Sequence, residues 1–204
     1  MALPETADEL CAVAREIGAG DEDVLLGTRM TEAAIKDLSG KGALRNYRVI
    51  HFATHGLVSG ETALFLTGRA EPALLFTPPQ AASETDDGLL TASEVTQLKL
   101  DADWIVMSAC NTAAGGAHSS EALSGLAKAF FYAGARSLLV SHWAVDSDVA
   151  VAITTGAFAA MKADSTIGRA EALRRSLVAL MDKGGRNAHP SIWAPFVLVG
   201  ESGN

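Results

Sequence analysis

The sequence predicts an α/β domain built on a mostly parallel sheet. Short apolar runs alternate along the chain with amphipathic helical patterns, as in successive βαβ units. Some of these runs, such as WIVM at 104–107, are continuously apolar, which is typical of strands covered on both faces. The 204 residues, 49% of them apolar, suffice for one domain with a sizeable core. We therefore expect residues 1–204 to form a single domain.

Helix-start signals and apolar runs define the elements of the first half. Thr6 with Glu9, and Thr91 with Glu94, each match the capping box that opens a helix. Gly40 is placed to end a helix. The predicted elements are helices over 6–17, 31–38 and about 92–98, and strands over 24–26, 47–54, 63–68 and 73–76. The polar stretch 77–87 is the best candidate loop.

The second half continues the same alternation. A helix is expected to begin at Ser119 or Ser120 and to end at Gly134, and another to be capped by Ser147 or Asp148. The further predicted elements are strands over 103–108, 137–145 and 194–200 and a helix over 170–181.

Composition excludes several classes of function. The formal charge of −8 argues against nucleic acid as a partner, because phosphate binding needs clustered Lys and Arg. No apolar run approaches the ~20 residues that cross a bilayer, and residues 1–10 lack the features of a signal peptide, so no membrane association is expected. The two widely separated cysteines, Cys11 and Cys110, favour a reducing, cytoplasmic setting.

Cofactor and metal sites are also not expected. The glycines at 115–116 lack the Lys-Ser or Lys-Thr ending of a phosphate-binding loop, and no G-x-G-x-x-G follows the first strand. The single cysteine near scattered histidines offers no paired metal-ligand spacing.

Two predicted strands end in residues capable of nucleophilic chemistry. His55 follows the run VIHFAT and Cys110 follows WIVMSA. If the strands are parallel neighbours, both side chains reach the edge where α/β sheets bind ligands. An imidazole near a thiol stabilises the thiolate and can later protonate a leaving amine. Gly56 permits close backbone approach, and its N–H with that of Cys110 could bind an oxyanion.

Several motifs in order resemble those of the CHAT domain, a caspase-like cysteine peptidase family related to separase, gingipain and clostripain. The two central motifs are HFATHG at 51–56 and SACNT at 108–112. The others are DGLLTASEV at 87–95, EALSGLAKAFFYAGARSLLVSHWAVDSD at 121–148 and WAPFVLVGE at 193–201. The roughly 50-residue spacing from His to Cys also suits a caspase-like layout. The resemblance implies a caspase-like three-layer α/β/α sandwich.

The resemblance also implies roles for individual residues. His55 corresponds to the catalytic base and Cys110 to the nucleophile. Asp146 and Asp148 resemble the separase segment that lines the pocket for a basic residue preceding the scissile bond. Family members commonly carry this domain at the C-terminus behind helical repeats such as tetratricopeptide repeats, so an associated helical-repeat region is an expected partner.

Plainer interpretations of these residues stay open. Asp146 and Asp148 could cap the following helix, and Glu121 could be a first-turn acid or a cleft contact. His51 is expected to be a satisfied structural histidine, and Cys11 a core residue. His118 is expected at the surface, His142 either at the site or in a structural role, and His189 in an ordinary loop.

The function these features favour is that of a cysteine endopeptidase acting on protein or peptide substrates. A second hypothesis is a catalytically silent or autoinhibited module that regulates or binds other proteins. A third, a Cys-dependent acyl transferase or amidase, would use the same two residues.

Overall fold

The computed structural model describes residues 4–63, 71–83, 85–108, 119–143 and 145–203. The strands are β1 (Val49–Phe52), β2 (His55–Leu57), β3 (Ala73–Leu75), β4 (Leu89–Thr91), β5 (Trp104–Met107), β6 (Ser137–Ser141) and β7 (Phe196–Gly200). The helices are α1 (Pro4–Ile17), α2 (Glu32–Gly40), α3 (Ser59–Thr62), α4 (Ala92–Val95), α5 (Ser119–Ala133), α6 (Ser147–Ala163), α7 (Arg169–Met181) and α8 (Pro190–Trp193). Short 3-10 turns cover 21–23, 27–29, 43–46 and 185–188.

Within the described residues the main sheet has four strands, in the order β1-β5-β6-β7. β1, β5 and β6 are parallel, and β7 lies antiparallel beside β6. The predicted α/β class and mostly parallel sheet are therefore confirmed.

Both faces of this sheet are buried, which explains the continuous apolar run of β5. Ile105 and Met107 join one apolar cluster, which also contains Phe130 of α5. Trp104 and Val106, the alternate residues, join a second cluster that contains Ile153 of α6. Because successive strand side chains point to opposite faces, the two clusters form the cores above and below the sheet. The three-layer sandwich is thus confirmed.

A second, antiparallel sheet in the order β2-β3-β4 follows the end of β1. Leu74 of β3 and Leu90 of β4 are opposite one another and fully buried. This sheet begins at His55, so it fixes the backbone of that residue beyond the end of β1.

A buried ionic cluster joins α2 to the loop 77–88 and to α4. The Glu32 carboxylate is buried and accepts hydrogen bonds from the backbone N–H groups of Asp87 and Gly88, each at 2.9 Å. Lys36 binds Glu32 and, at 2.6 Å, Glu94. Burial raises the pKa of the Glu32 carboxyl. At Glu94 burial also acts upward, but the hydrogen bonds from Lys36 and Thr91 outweigh it and lower that pKa.

Several helix boundaries match the predictions from the sequence. Thr31 caps α2 by accepting from the Ala34 N–H at 3.1 Å, and Thr91 forms the predicted capping box with Glu94. α5 ends at Ala133, and the predicted terminating residue Gly134, whose φ is 113°, follows it. A Cβ at that glycine would lie 2.4 Å from the Leu100 carbonyl oxygen, so only glycine fits there.

Other boundaries were predicted wrongly. Residues 24–26 are not a strand but connect two 3-10 turns. α1 begins at Pro4, so Thr6 lies within the helix and does not cap it. The residue that precedes α6 is Asp146, and Ser147 is the first helical residue. Most of the predicted strand at 63–68 lies outside the described residues.

Replacing Glu32 by Gln is expected to lower the free energy of unfolding by about 2–4 kcal/mol, because the amide nitrogen of Gln then faces the Lys36 ammonium in place of a buried acceptor oxygen. The measurement is urea denaturation followed by circular dichroism. Asp37→Asn is the control, since its ion pair with Lys41 is exposed and is expected to contribute less than about 1 kcal/mol. Equal losses in the two variants would contradict the structural role of the buried cluster.

Candidate active site

The carboxyl ends of β1 and β5 lie side by side at one edge of the main sheet. Phe52 and Met107, the last residues of the two strands, are paired in register. Beyond them, the Ser108 N–H donates to the Phe52 carbonyl at 3.2 Å. His55 follows Phe52 by three residues, and Cys110 follows Ser108 by two. Cys110 itself lies outside the described residues, as do all of 109–118.

His55 is half-buried and is the first residue of β2. Its Cα pairs with that of Leu75, whose carbonyl also accepts a hydrogen bond from the Thr54 hydroxyl. Gly56, the other predicted residue of this segment, is buried opposite Leu74. The pairing of β2 with β3 therefore holds the backbone of His55 and Gly56 in a defined place just beyond the end of β1.

His51 belongs to a separate, buried hydrogen-bond network. Its side chain is 6% exposed, and its Nε2 lies 2.9 Å from Ser108 Oγ and 3.2 Å from Glu9 Oε1. Glu9 also accepts from the hydroxyls of Ser108 at 3.0 Å and Thr154 at 3.3 Å. The structural role expected of His51 fits its Nε2, which is engaged with groups of the core, but the ring is not fully satisfied, because Nδ1 is buried without a partner among the described residues.

Glu9 is the member of this network that the sequence analysis misassigned. It was interpreted as part of a capping box, but it lies inside α1 and is 2% exposed. Glu9 and the buried Val13 are four residues apart, so they share one face of the helix. An acid on the buried face of an amphipathic helix is the signal that could have identified it.

The two acids expected to line a specificity pocket already bind a cation of the same chain. Arg186 donates to Asp146 Oδ2 at 2.7 Å and to Asp148 Oδ2 at 2.6 Å. All three side chains are more than half exposed. Asp146 immediately precedes α6 without making a side-chain cap bond, so capping does not account for its position. The sequence analysis did not identify Arg186, which lies 38 residues from Asp148.

Backbone geometry and two indoles hold the segment that carries Arg186. Gly184 and Gly185 have φ values of 69° and 59°, which start the 3-10 turn 185–188. The Trp143 indole donates to the Ser191 carbonyl at 3.0 Å, and the Trp193 indole to the Ala188 carbonyl at 3.4 Å. These bonds hold the two segments that bring the acid pair and the Arg186 guanidinium into contact.

The remaining candidates have simpler places. His142 is exposed, and its backbone N–H donates to the Pro195 carbonyl at 2.9 Å. His189 caps α8 by accepting from the Ser191 N–H at 3.2 Å. Cys11 is a half-buried free thiol on α1. His118 and the side chain of Glu121 lie outside the described part of the chain.

The described residues offer neither a metal site nor a membrane-spanning helix. No three His, Cys, Asp or Glu side chains come close enough there to hold a metal ion. No helix in that part of the chain combines the length and the apolar character that crossing a bilayer requires.

Comparison with known proteins identifies the family. Tetratricopeptide repeat protein 28 of Mus musculus is 27% identical over 227 residues, covering 97% of this chain. The match spans only 8% of the length of that mouse protein. The family model described as the CHAT domain matches residues 1–201. Since that match covers nearly the whole sequence, the chain belongs to the CHAT domain family, a caspase-like family related to cysteine peptidases.

Proposed function

We propose that this domain is a cysteine endopeptidase in which Cys110 is the nucleophile and His55 the general base. The observation that carries the proposal is the hydrogen bond from Ser108 N–H to the Phe52 carbonyl, which joins the ends of β1 and β5. The two residues follow these ends within three positions. Membership of a caspase-like family supports the same assignment.

In the proposed reaction, His55 accepts the thiol proton and the Cys110 thiolate attacks the scissile carbonyl. The N–H groups of Gly56 and Cys110 bind the resulting oxyanion. His55 then gives its proton to the departing amine, and a thioester remains on Cys110. Water attacks the thioester with His55 as base, which releases the carboxylic acid and restores the thiol.

The assignment of His55 as base, and not His51, follows from their surroundings. The Nε2 of His51 is engaged with Ser108 and Glu9 inside the core. His55 is half-buried, and it begins the small sheet beyond the strand end. A base must reach the proton it removes from an approaching substrate, and a residue outside the core meets that requirement.

The proposed substrate is a protein or peptide with a basic residue before the scissile bond. Asp146 and Asp148 are the residues that would bind it. Their shared hydrogen bonds to Arg186 support this preference, because the pair accommodates a guanidinium in the folded chain. The net charge of −8 adds a weak long-range attraction for basic substrates.

A second candidate function is a regulated or catalytically silent module. The contact of Arg186 with Asp146 and Asp148 favours this function as well. With Arg186 bound, the acid pair is not free to receive a substrate cation. Activation would then require a partner that moves the 185–188 turn. An associated helical-repeat region is the proposed partner, since the mouse relative is named for its tetratricopeptide repeats.

We also propose that the domain lies in the cytoplasm, because its two widely separated cysteines favour a reducing setting.

The first prediction concerns the nucleophile. Cys110→Ala is expected to abolish covalent labelling by a peptide carrying a cysteine-reactive electrophile after Arg, because no thiol remains to attack. His55→Ala is expected to slow labelling by about 10²-fold or more, because no imidazole remains to take the proton of the Cys110 thiol. Labelling rate and site are measured by intact-protein and peptide mass spectrometry.

Cys11→Ser is the matched control for this experiment, and it is expected to label at the wild-type rate. Equal cleavage of a peptide panel by Cys110→Ala and wild type would contradict the endopeptidase proposal. Labelling without hydrolysis of any peptide would favour the silent module, and transfer of the acyl group to an added amine would favour an acyl transferase.

The two histidines are expected to differ in what their loss affects. His51→Ala leaves Glu9 with fewer partners in the core and is expected to lower the free energy of unfolding by about 2–4 kcal/mol. His55→Ala, at a half-buried position, is expected to change it by less than about 1 kcal/mol. Urea denaturation measures both, and a larger loss for His55→Ala would contradict the assignment.

Arg186→Gln is expected to raise kcat/KM for peptides with Arg before the scissile bond by about 2–30-fold, mainly through KM. The range follows from two exposed ion pairs, each contributing about 0.2–1 kcal/mol. Peptides with Leu at the same position should show no gain. Arg174→Gln, which removes the same charge beside Glu171, is the control. Equal gains for both peptides, or for both variants, would show that Arg186 does not compete with substrate.

A further inference from the structure

A large cavity lies alongside β1, which is an edge strand of the main sheet among the described residues. Its volume is about 790 Å³. Leu10 and Val13 of α1 form one wall, and Ile35 and Leu38 of α2 form the other. The floor consists of residues 49–54, that is β1 and the two residues after it. We call this cavity the β1 slot.

The lining residues show that the slot meets the edge of β1 and not one of its faces. Six consecutive residues, 49–54, contact it. Successive side chains of a strand point to opposite faces, so a cavity on one face would contact only alternate residues. Among the described residues, β1 is paired with β5 alone. The slot therefore lies where the next strand of the sheet would be.

The backbone of β1 has hydrogen-bonding groups directed into the slot. The carbonyls of Arg48 and Phe52 accept bonds from the β5 side, from Trp104 and Ser108. In a parallel strand, alternate residues direct their N–H and C=O groups to opposite neighbours. Val49, His51 and Ala53 therefore direct theirs away from β5. A row of unpaired groups of this kind is a template for another strand.

The slot runs along the whole length of β1. Its floor comprises all four residues of the strand and the two residues after it, 49–54. The walls are apolar on both sides, which suits a strand that is hydrophobic on both faces.

Two acidic residues of the lining indicate the charge of the occupant. Glu22 and Asp23, both exposed acids, line the slot. They complement a Lys or Arg in the occupant.

Direct pairing between the β1 edges of two copies is not expected. The β1 edge of each copy lies between α1 and α2, so these helices would meet before the two edges do. An extended single strand of polypeptide has the required width.

We propose that the β1 slot binds an extended polypeptide strand from outside these 204 residues, which pairs with β1 and widens the main sheet by one strand. The strand is apolar on both faces and carries a basic residue near Glu22 and Asp23. This proposal does not depend on catalysis, and the peptidase proposal can fail without affecting it.

The test uses a synthetic probe, the heptapeptide acetyl-KVIVTVK-amide, with the 204-residue chain. Fluorescence anisotropy of a labelled probe is expected to show saturable binding below about 1 mM. Amide hydrogen exchange followed by NMR is expected to show new protection at Val49, His51 and Ala53 on binding. Ile50 and Phe52 should not change, because their amides face β5. A probe with Pro in place of its central Val should bind at least 10-fold more weakly, since it lacks a strand donor.

Matched variants locate the binding. Ala7→Trp places an indole in the slot and is expected to weaken binding at least 10-fold. Ala33→Trp makes the same change on the exposed side of α2, and it is expected to change affinity less than 2-fold. Glu22→Lys, at an exposed position that does not disturb the core, is expected to weaken binding about 3–10-fold, an effect that salt reduces.

Three results would overturn the proposal. The first is no binding of the probe to wild type up to about 1 mM. The second is binding that leaves the amides of Val49, His51 and Ala53 unprotected, or that Ala7→Trp, Ala33→Trp and Glu22→Lys all leave unchanged. The third is protection of the three amides in the chain alone together with a dimeric mass in solution, which would assign the edge to a second copy.

Discussion

The buried carboxylate of Glu9 is the constraint on which the positions of the other features depend. A carboxylate in an apolar interior costs several kcal/mol unless its oxygens are bonded. Here the partners come from three elements: His51 of β1, Ser108 after β5, and Thr154 of α6. Satisfying one side chain therefore fixes α1 against the ends of the two strands that precede the candidate active site, and α1 in turn forms a wall of the β1 slot.

The architecture could be predicted from the sequence because it depends on local patterns and burial. The four consecutive apolar residues of β5 are buried on both faces, as their lack of alternation predicted. The Thr91 capping box also formed where expected, since it involves residues only three apart. Residues 24–26 were predicted wrongly, because three apolar residues make a strand only where a neighbour pairs with them.

The site could be predicted only in part, because its interactions are long-range. The placement of His55 near the end of β1 followed from the order of elements. Glu9 was misassigned because its local spacing to Thr6 suggested a cap, whereas its partners Ser108 and Thr154 are 99 and 145 residues away. Arg186 likewise meets Asp146 only through the packing of two separate segments. No local pattern encodes such a contact.

The two edges of the main sheet differ in a way that bears on what covers them. At β7 the strand becomes exposed along its length, with Val199 37% exposed and Gly200 also exposed. At β1, by contrast, apolar side chains of α1 and α2 line the slot along the strand edge. Apolar walls of this kind gain about 25 cal/mol for each Å² removed from water. An edge open to solvent loses little by staying unpaired, whereas an edge between two apolar walls is stabilised by an added strand.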